Sequence, residues 1–191
     1  MKHTALSRRG LFAAGAALPL LHTIGCGGTS ASDVGSKTPD QKGSSPSKKG
    51  PSAPDFTLPA LDGSNVALSD YLGKSVVLLD FWATNCDPCL VEMPHLVAIY
   101  EKYQAKGFVV LAISGDDADT RSRVPNVVHE KKMTFPVLMD SETTVIARYH
   151  PSKTMPFWVL IDKSGSIVKK KNGYDPGDEV ALAQEIEKLL Q

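Results

Sequence analysis

From residue 51 onward, apolar residues fall into blocks whose spacing predicts alternating strands and helices. Val76–Trp82 and Phe108–Ser114 are nearly continuous apolar runs, as is typical of strands buried on both faces. Between them, apolar residues recur at helical spacing over residues 88–106, and Gly107 ends the predicted helix. The pattern therefore predicts a buried sheet covered by helices.

Shorter blocks complete the predicted domain. Residues 56–58 and 66–68 flank Asp62 and Gly63, a turn signal that predicts an N-terminal β-hairpin. The later predicted elements are a helix, a short strand, a short helix, a β-hairpin and a last helix, over residues 120–132, 136–139, 144–149, 157–161 with 166–171, and 176–190. This order predicts an α/β domain, residues 51–191, around a mixed central sheet.

The first 50 residues follow a different pattern. In segment 1–25, basic residues precede an apolar run over residues 11–24, which is shorter than the ~20 residues that a membrane-spanning helix needs. This segment is predicted to be an export signal. Residues 7–12 resemble a twin-arginine signal, although adjacent arginines also occur in general secretory signals. Residues 27–50 hold almost nothing apolar and predict a flexible linker.

A lone cysteine, Cys26, lies between signal and linker. Residues 23–26 resemble a bacterial lipobox, in which the cysteine becomes lipidated. Gly25 fits the small residue required there, whereas Thr23 departs from the usual leucine. The resemblance implies a protein anchored through Cys26 on the periplasmic side of a bacterial membrane. The alternative is a free cysteine in a tail.

Charge and cysteine content narrow the possible functions. The 191 residues include 21 basic and 21 acidic side chains, so no net charge draws the protein to nucleic acid. Three cysteines are too few for a disulfide-stapled scaffold, which indicates that Cys86 and Cys89 are a reactive pair. Since the two thiols would carry the electrons themselves, no cofactor is expected.

The spacing of Cys86 and Cys89 places them at the start of the helix that follows the first buried strand. Asp87 is predicted to be the helix N-cap, with Pro88 at the first helical position. A helix N-terminus favours a thiolate on Cys86, although the negative charge of Asp87 opposes it. Cys86 would attack a partner disulfide, and Cys89 would resolve the mixed disulfide.

Two carboxylates are candidates to take the proton of Cys89. Glu92 lies three residues further along the same helix face, and Asp80 lies in the apolar strand, where burial would raise its pKa. The alternatives are a solvated Glu92 and an Asp80 satisfied by backbone hydrogen bonds. Pro94, inside the predicted helix, predicts a kink.

The stretch from Asp80 to Cys89, with Trp82 four residues before Cys86 and Pro94 after the pair, resembles thioredoxin. Residues 53–94 resemble the TlpA/ResA-like branch of exported thiol–disulfide oxidoreductases, with an AhpC/TSA-redoxin-type domain. The resemblance covers about residues 51–190. It implies a thioredoxin fold with an N-terminal β-hairpin extension and a helix–strand insertion over residues 120–149. It also implies that Glu92, Asp80 and Trp82 support the thiols.

The same resemblance implies a substrate-binding loop. Thr154, Met155 and Pro156 match a cis-proline loop that faces the disulfide and hydrogen-bonds an extended partner; the alternative is an ordinary trans loop proline. The implied partners are protein disulfides, apocytochrome c among them, and a membrane thiol–disulfide relay protein as electron donor. Asn85 stands where an aromatic residue is common, which leaves partner preference open.

Two other functions use the same residues. A peroxidase resembles this chain at residues 53–56, but its threonine lies three residues before the reactive cysteine, whereas Thr84 lies two before Cys86. A copper-binding or delivery module could use the two thiols and one imidazole. The candidate imidazoles are those of His95, His129 and His150.

Overall fold

Seven strands and four α-helices make up residues 50–191, the part of the chain that this computed structural model describes. The strands are β1 (Thr57–Pro59), β2 (Asn65–Ala67), β3 (Val76–Trp82), β4 (Phe108–Ser114), β5 (Val137–Met139), β6 (Phe157–Ile161) and β7 (Ile167–Asn172). The helices are α1 (Asp87–Tyr103), α2 (Val124–Glu130), α3 (Thr144–Tyr149) and α4 (Asp178–Leu190). The predicted export signal, linker and lipidated Cys26 lie outside the described residues.

Five of the strands form one mixed sheet in the order β5-β4-β3-β6-β7. Strand β4 runs parallel to β3 and β5, whereas β6 is antiparallel to both β3 and β7. Strands β1 and β2 pair separately as the predicted N-terminal hairpin. The parallel pair β3 and β4 is connected through α1, so both strands end at the same edge of the sheet.

The two faces of β3 bury different parts of the chain. Trp82 and the alternate residues before it face the cluster that includes apolar side chains of α1 and α4. Phe81 and its alternates face the cluster that contains side chains of the N-terminal hairpin and α3. Burial on both faces explains why the sequence of β3 is continuously apolar rather than alternating.

Most element bounds agree with the sequence prediction, and the clearest exception is the helix predicted over residues 120–132. A 3₁₀ turn over Arg121–Arg123 stands in its first part, and α2 is only seven residues long. Because Pro125 has no N–H to bond the Arg121 carbonyl, the α-helix cannot extend back across this point. Lys132, with a φ of 56°, adopts the left-handed conformation that terminates the segment.

Over residues 50–191, no helix combines the length and the apolar character that crossing a membrane requires.

Candidate active site

The two cysteines lie at the start of α1, shortly after the end of β3. A loop over residues 83–86 follows Trp82, and the sulfurs of Cys86 and Cys89 are joined by a disulfide with a Cα–Cα distance of 5.3 Å. Cys86 is partly exposed, whereas Cys89 is only 1% exposed. An incoming reactant can therefore reach the sulfur of Cys86 but not that of Cys89.

At the N-terminus of α1 the structure differs from the sequence prediction. The N-cap residue is Cys86, whose Sγ accepts the Cys89 backbone N–H at 3.3 Å, while Asp87 occupies the first helical position and is exposed. An N-cap side chain bonds the N–H two or three residues later, and the C-x-x-C spacing puts the Cys86 sulfur at that distance. An N–H directed at Sγ favours negative charge on this sulfur.

Asp80 and Glu92 are both buried, at 1% and 4% exposure. Asp80 lies opposite Ala112 of β4 and Trp158 of β6, on the sheet face that α1 covers. Neither oxygen of Asp80 has a hydrogen-bond partner among residues 50–191, and the same holds for Oε2 of Glu92. The alternatives of a backbone-satisfied Asp80 and a solvated Glu92 are therefore wrong.

Burial sets the ionisation of both acids. Desolvation raises the pKa of Asp80. Desolvation also raises the pKa of Glu92, as do the negative charges of Asp80 and Asp178, while Lys171 opposes the rise. Trp158, which pairs with Asp80, pairs on its other side with Lys171 of β7. The Lys171 ammonium group forms a salt bridge with Asp178 at 2.9 Å. A raised carboxyl pKa approaches the ~8.5 of a thiol, so proton transfer between the two groups becomes nearly balanced.

Trp82 is the last residue of β3 and is fully buried. Its carbonyl accepts the Gly115 N–H at 2.9 Å, while its indole Nε1 has no partner among residues 50–191. Two residues further back, Asp80 faces the same cluster. The indole therefore lies on the same buried face of the sheet as the unpaired carboxylate.

The loop before β6 lies beside the end of β3, because Phe157 pairs with Phe81. The Met155–Pro156 peptide bond is cis. Thr154 is exposed; its Oγ1 donates to Asn172 Oδ1 at 2.8 Å and lies 2.7 Å from the Nε2 atom of His150. Within the described chain, the N–H and C=O of Met155 take part in no hydrogen bond. These groups are therefore free for another chain.

Sequence reasoning missed Asp116, which is 2% exposed. Its carboxylate accepts the Thr84 N–H at 2.9 Å, the Thr84 hydroxyl at 2.5 Å and the Ser114 hydroxyl at 2.8 Å. One signal could have revealed it: the polar residues directly after β4 lie at the sheet edge where the parallel β3 also ends.

The candidate copper-binding histidines do not gather around the thiols. His95 stacks on Tyr174 and His150 stacks on Phe157, while His129 lies in α2. Among residues 50–191, no three His, Cys, Asp or Glu side chains are grouped to hold a metal ion.

Residues 50–170 match the AhpC/TSA family model. The chain is 39% identical over 121 residues to thiol-disulfide oxidoreductase ResA of Bacillus cereus, covering 63% of this chain and 68% of that protein. ResA of Geobacillus thermodenitrificans is 37% identical over 120 residues, covering 63% and 67%.

Solved structures agree with the sheet topology. A Chlorobium tepidum protein described as a thiol:disulfide interchange protein DsbE superposes with a TM-score of 0.68 at 37% identity, covering 75% of this chain and 99% of that one. The thioredoxin domain of a Bacteroides vulgatus thiol-disulfide oxidoreductase gives 0.64 at 28% identity, covering 75% and 98%. The predicted thioredoxin-like α/β fold is thereby confirmed.

Proposed function

The chain belongs to the AhpC/TSA family and is a thiol–disulfide oxidoreductase, and from this premise we propose that Cys86 and Cys89 carry out its dithiol–disulfide exchange. The proposal depends on one observation: a reachable Cys86 is paired with a buried Cys89 at the N-terminus of α1. The Cys86 thiolate attacks a partner disulfide, and one partner sulfur leaves as a thiolate. Cys89 then attacks Cys86, which forms the internal disulfide and releases the second partner thiolate. Two electrons thus pass to the partner, and the reverse sequence oxidises it.

Cys89 must lose its proton before it attacks, and burial opposes that loss. We assign the proton to the carboxyl pair Asp80 and Glu92, since both are buried and have unpaired oxygens. Glu92 lies one turn beyond Cys89 in α1, and Asp80 lies on the sheet face beneath that helix. Asp87, exposed beside the thiols, adds a negative charge that limits thiolate formation.

The proposed substrates are protein disulfides, bound as an extended segment along Thr154, Met155 and Pro156. The free N–H and C=O of Met155 support this, because such groups pair with an added strand. Apocytochrome c is the proposed target and a membrane thiol–disulfide relay protein the proposed electron donor. A substrate segment that pairs with Met155 would do so through backbone groups only. The side chains around Cys86 therefore decide which partner is preferred.

We also propose that the protein works outside the cytoplasm, tethered through a lipid on Cys26 and a linker over residues 27–50. A linker of this composition gives a reach of roughly 5–6 Å times the square root of its length. Mass spectrometry of the mature protein from membranes tests the tether. The expected N-terminus is a lipidated Cys26, whereas an unmodified Cys26 in a soluble fraction would refute it.

The deciding experiment equilibrates the protein with glutathione and measures the potential of the Cys86–Cys89 couple. A value near ~−270 mV indicates a reductant and one near ~−120 mV an oxidant. Cys89→Ser should trap mixed disulfides with partner proteins, and Cys86→Ser, its matched control, should trap none. If the two thiols do not interconvert with a disulfide, or if both variants behave alike, the proposed exchange is wrong.

Hydrogen peroxide turnover separates this function from a peroxidase. The Thr84 hydroxyl donates its proton to Asp116, so this proton is not available to a peroxide at Cys86. We therefore expect disulfide exchange to be fast and peroxide reduction to be negligible in the same preparation.

A further inference from the structure

Three residues at the C-terminal end of β4 and directly after it contact both loops of the active site. Ser114, Gly115 and Asp116, here called the 114–116 segment, begin at the position paired with Trp82 in the parallel ladder. The cysteine loop over residues 83–86 contacts this segment through Thr84. The Met155 side chain contacts it at Gly115. The segment thus contacts residues of both loops.

Hydrogen bonds join the 114–116 segment to the cysteine loop. The Gly115 N–H bonds the Trp82 carbonyl, and the Asp116 carboxylate accepts both the N–H and the hydroxyl of Thr84. Thr84 lies two residues before Cys86, whose own N–H bonds the Ala83 carbonyl. A substitution at Asp116 would therefore displace Thr84 and, through this short hydrogen-bonded loop, alter the position of the Cys86 sulfur.

Asp116 itself is held in place. Ser114 Oγ donates to its Oδ2 at 2.8 Å, and the Asp116 N–H donates back to Ser114 Oγ at 3.1 Å. A buried carboxylate is costly unless donors satisfy it, so these bonds leave the side chain a single favourable position. A rigid anchor of this kind is what a precisely placed nucleophile requires.

Gly115 makes room for the Met155 side chain. A Cβ at residue 115 would lie 2.5 Å from the Met155 Cε, closer than carbon atoms approach. The absence of a side chain therefore lets Met155 lie against this backbone. Since Cε is the free end of a flexible side chain, a Cβ at residue 115 would turn the Met155 side chain aside, next to the cis-proline of the proposed substrate-binding loop.

We propose that the 114–116 segment is the positioning element of the active site: Asp116 orients the loop that presents Cys86, and Gly115 seats the Met155 side chain beside the cis-proline that receives the partner. This inference rests on the proposed exchange function and adds two positioning residues to it. The two residues have separate effects, since Asp116 acts on the reactivity of Cys86 and Gly115 acts on partner binding.

The test compares variants of the full-length protein in reduction of a protein disulfide, with the glutathione equilibrium measured on each. Asp116→Ala should lower kcat/KM by about 10- to 100-fold, the cost of misplacing a reacting group, and shift the glutathione equilibrium. Asp116→Asn should retain most activity, because its amide oxygen can still accept the Thr84 N–H. Asp117→Ala is the matched control, since Asp117 is exposed and its side chain bonds only Asp119 and Thr120 among the described residues.

Gly115→Ala should raise KM for the protein substrate while kcat and the glutathione equilibrium stay unchanged. Thr84→Val loses only the hydroxyl bond, so it keeps the inference testable if Asp116→Ala does not fold. Its kcat/KM should lie between the values of the wild type and Asp116→Ala. The inference is overturned if these variants lose thermal stability yet keep wild-type kinetics and equilibrium. If the wild type itself fails to turn over, the proposed function is at fault instead.

Discussion

Replacing Asp80 by Asn tests whether this buried carboxyl keeps its proton in the folded protein. Burial raises the pKa of Asp80 from its ordinary value of 3.8 to about 7, so at mildly acidic pH the folded state holds a proton that the unfolded chain has released. The contribution of Asp80 to stability is therefore fully present below the unfolded pKa and is lost as pH rises toward the folded pKa. Each such proton makes the free energy of unfolding fall by about 1.4 kcal/mol per pH unit.

Asn cannot ionise, so Asp80→Asn should remove this slope. Between about pH 5 and pH 6, where an unfolded aspartate is ionised, the stability of the variant relative to wild type should rise by up to about 1.4 kcal/mol per pH unit. Urea denaturation of the oxidised protein at several pH values measures it, with the buried Trp82 and Trp158 as fluorescent reporters. Asp119→Asn, an exposed acid, is the control. Equal slopes for wild type and Asp80→Asn would refute the reasoning.

Two further predictions concern α1. Alkylation of the reduced protein reports the reachable Cys86. Glu92→Gln should move its pH midpoint downward, because one potential anion near the thiol pair is lost. An unmoved midpoint, or an equal shift in the exposed control Glu101→Gln, would contradict the proposed role. Leu96→Ala removes a fully buried side chain and should lower the free energy of unfolding by about 2–5 kcal/mol in urea denaturation. Val91→Ala, at a 56% exposed position of the same helix, should cost much less, and similar losses would contradict the packing described.

Local sequence was sufficient for the elements that carry the cysteines. The continuous apolar run of β3 and the helical spacing that follows it each depend on residues a few positions apart. The same spacing placed Glu92 on the helix face of Cys89. The N-cap prediction of Asp87 is wrong: residue-type preference favours aspartate, whereas the capping hydrogen bond goes to the sulfur of Cys86.

The tertiary structure alone decided how these elements serve the site. Whether Glu92 is buried depends on how the sheet and α4 cover that face of α1, which the helical spacing leaves open. Asp116 bonds Thr84 across 32 residues of sequence, and Gly115 meets Met155 across a longer stretch still. Pattern and propensity act between near neighbours in the chain, but burial and long-range hydrogen bonds exist only after the parallel strands have aligned their ends.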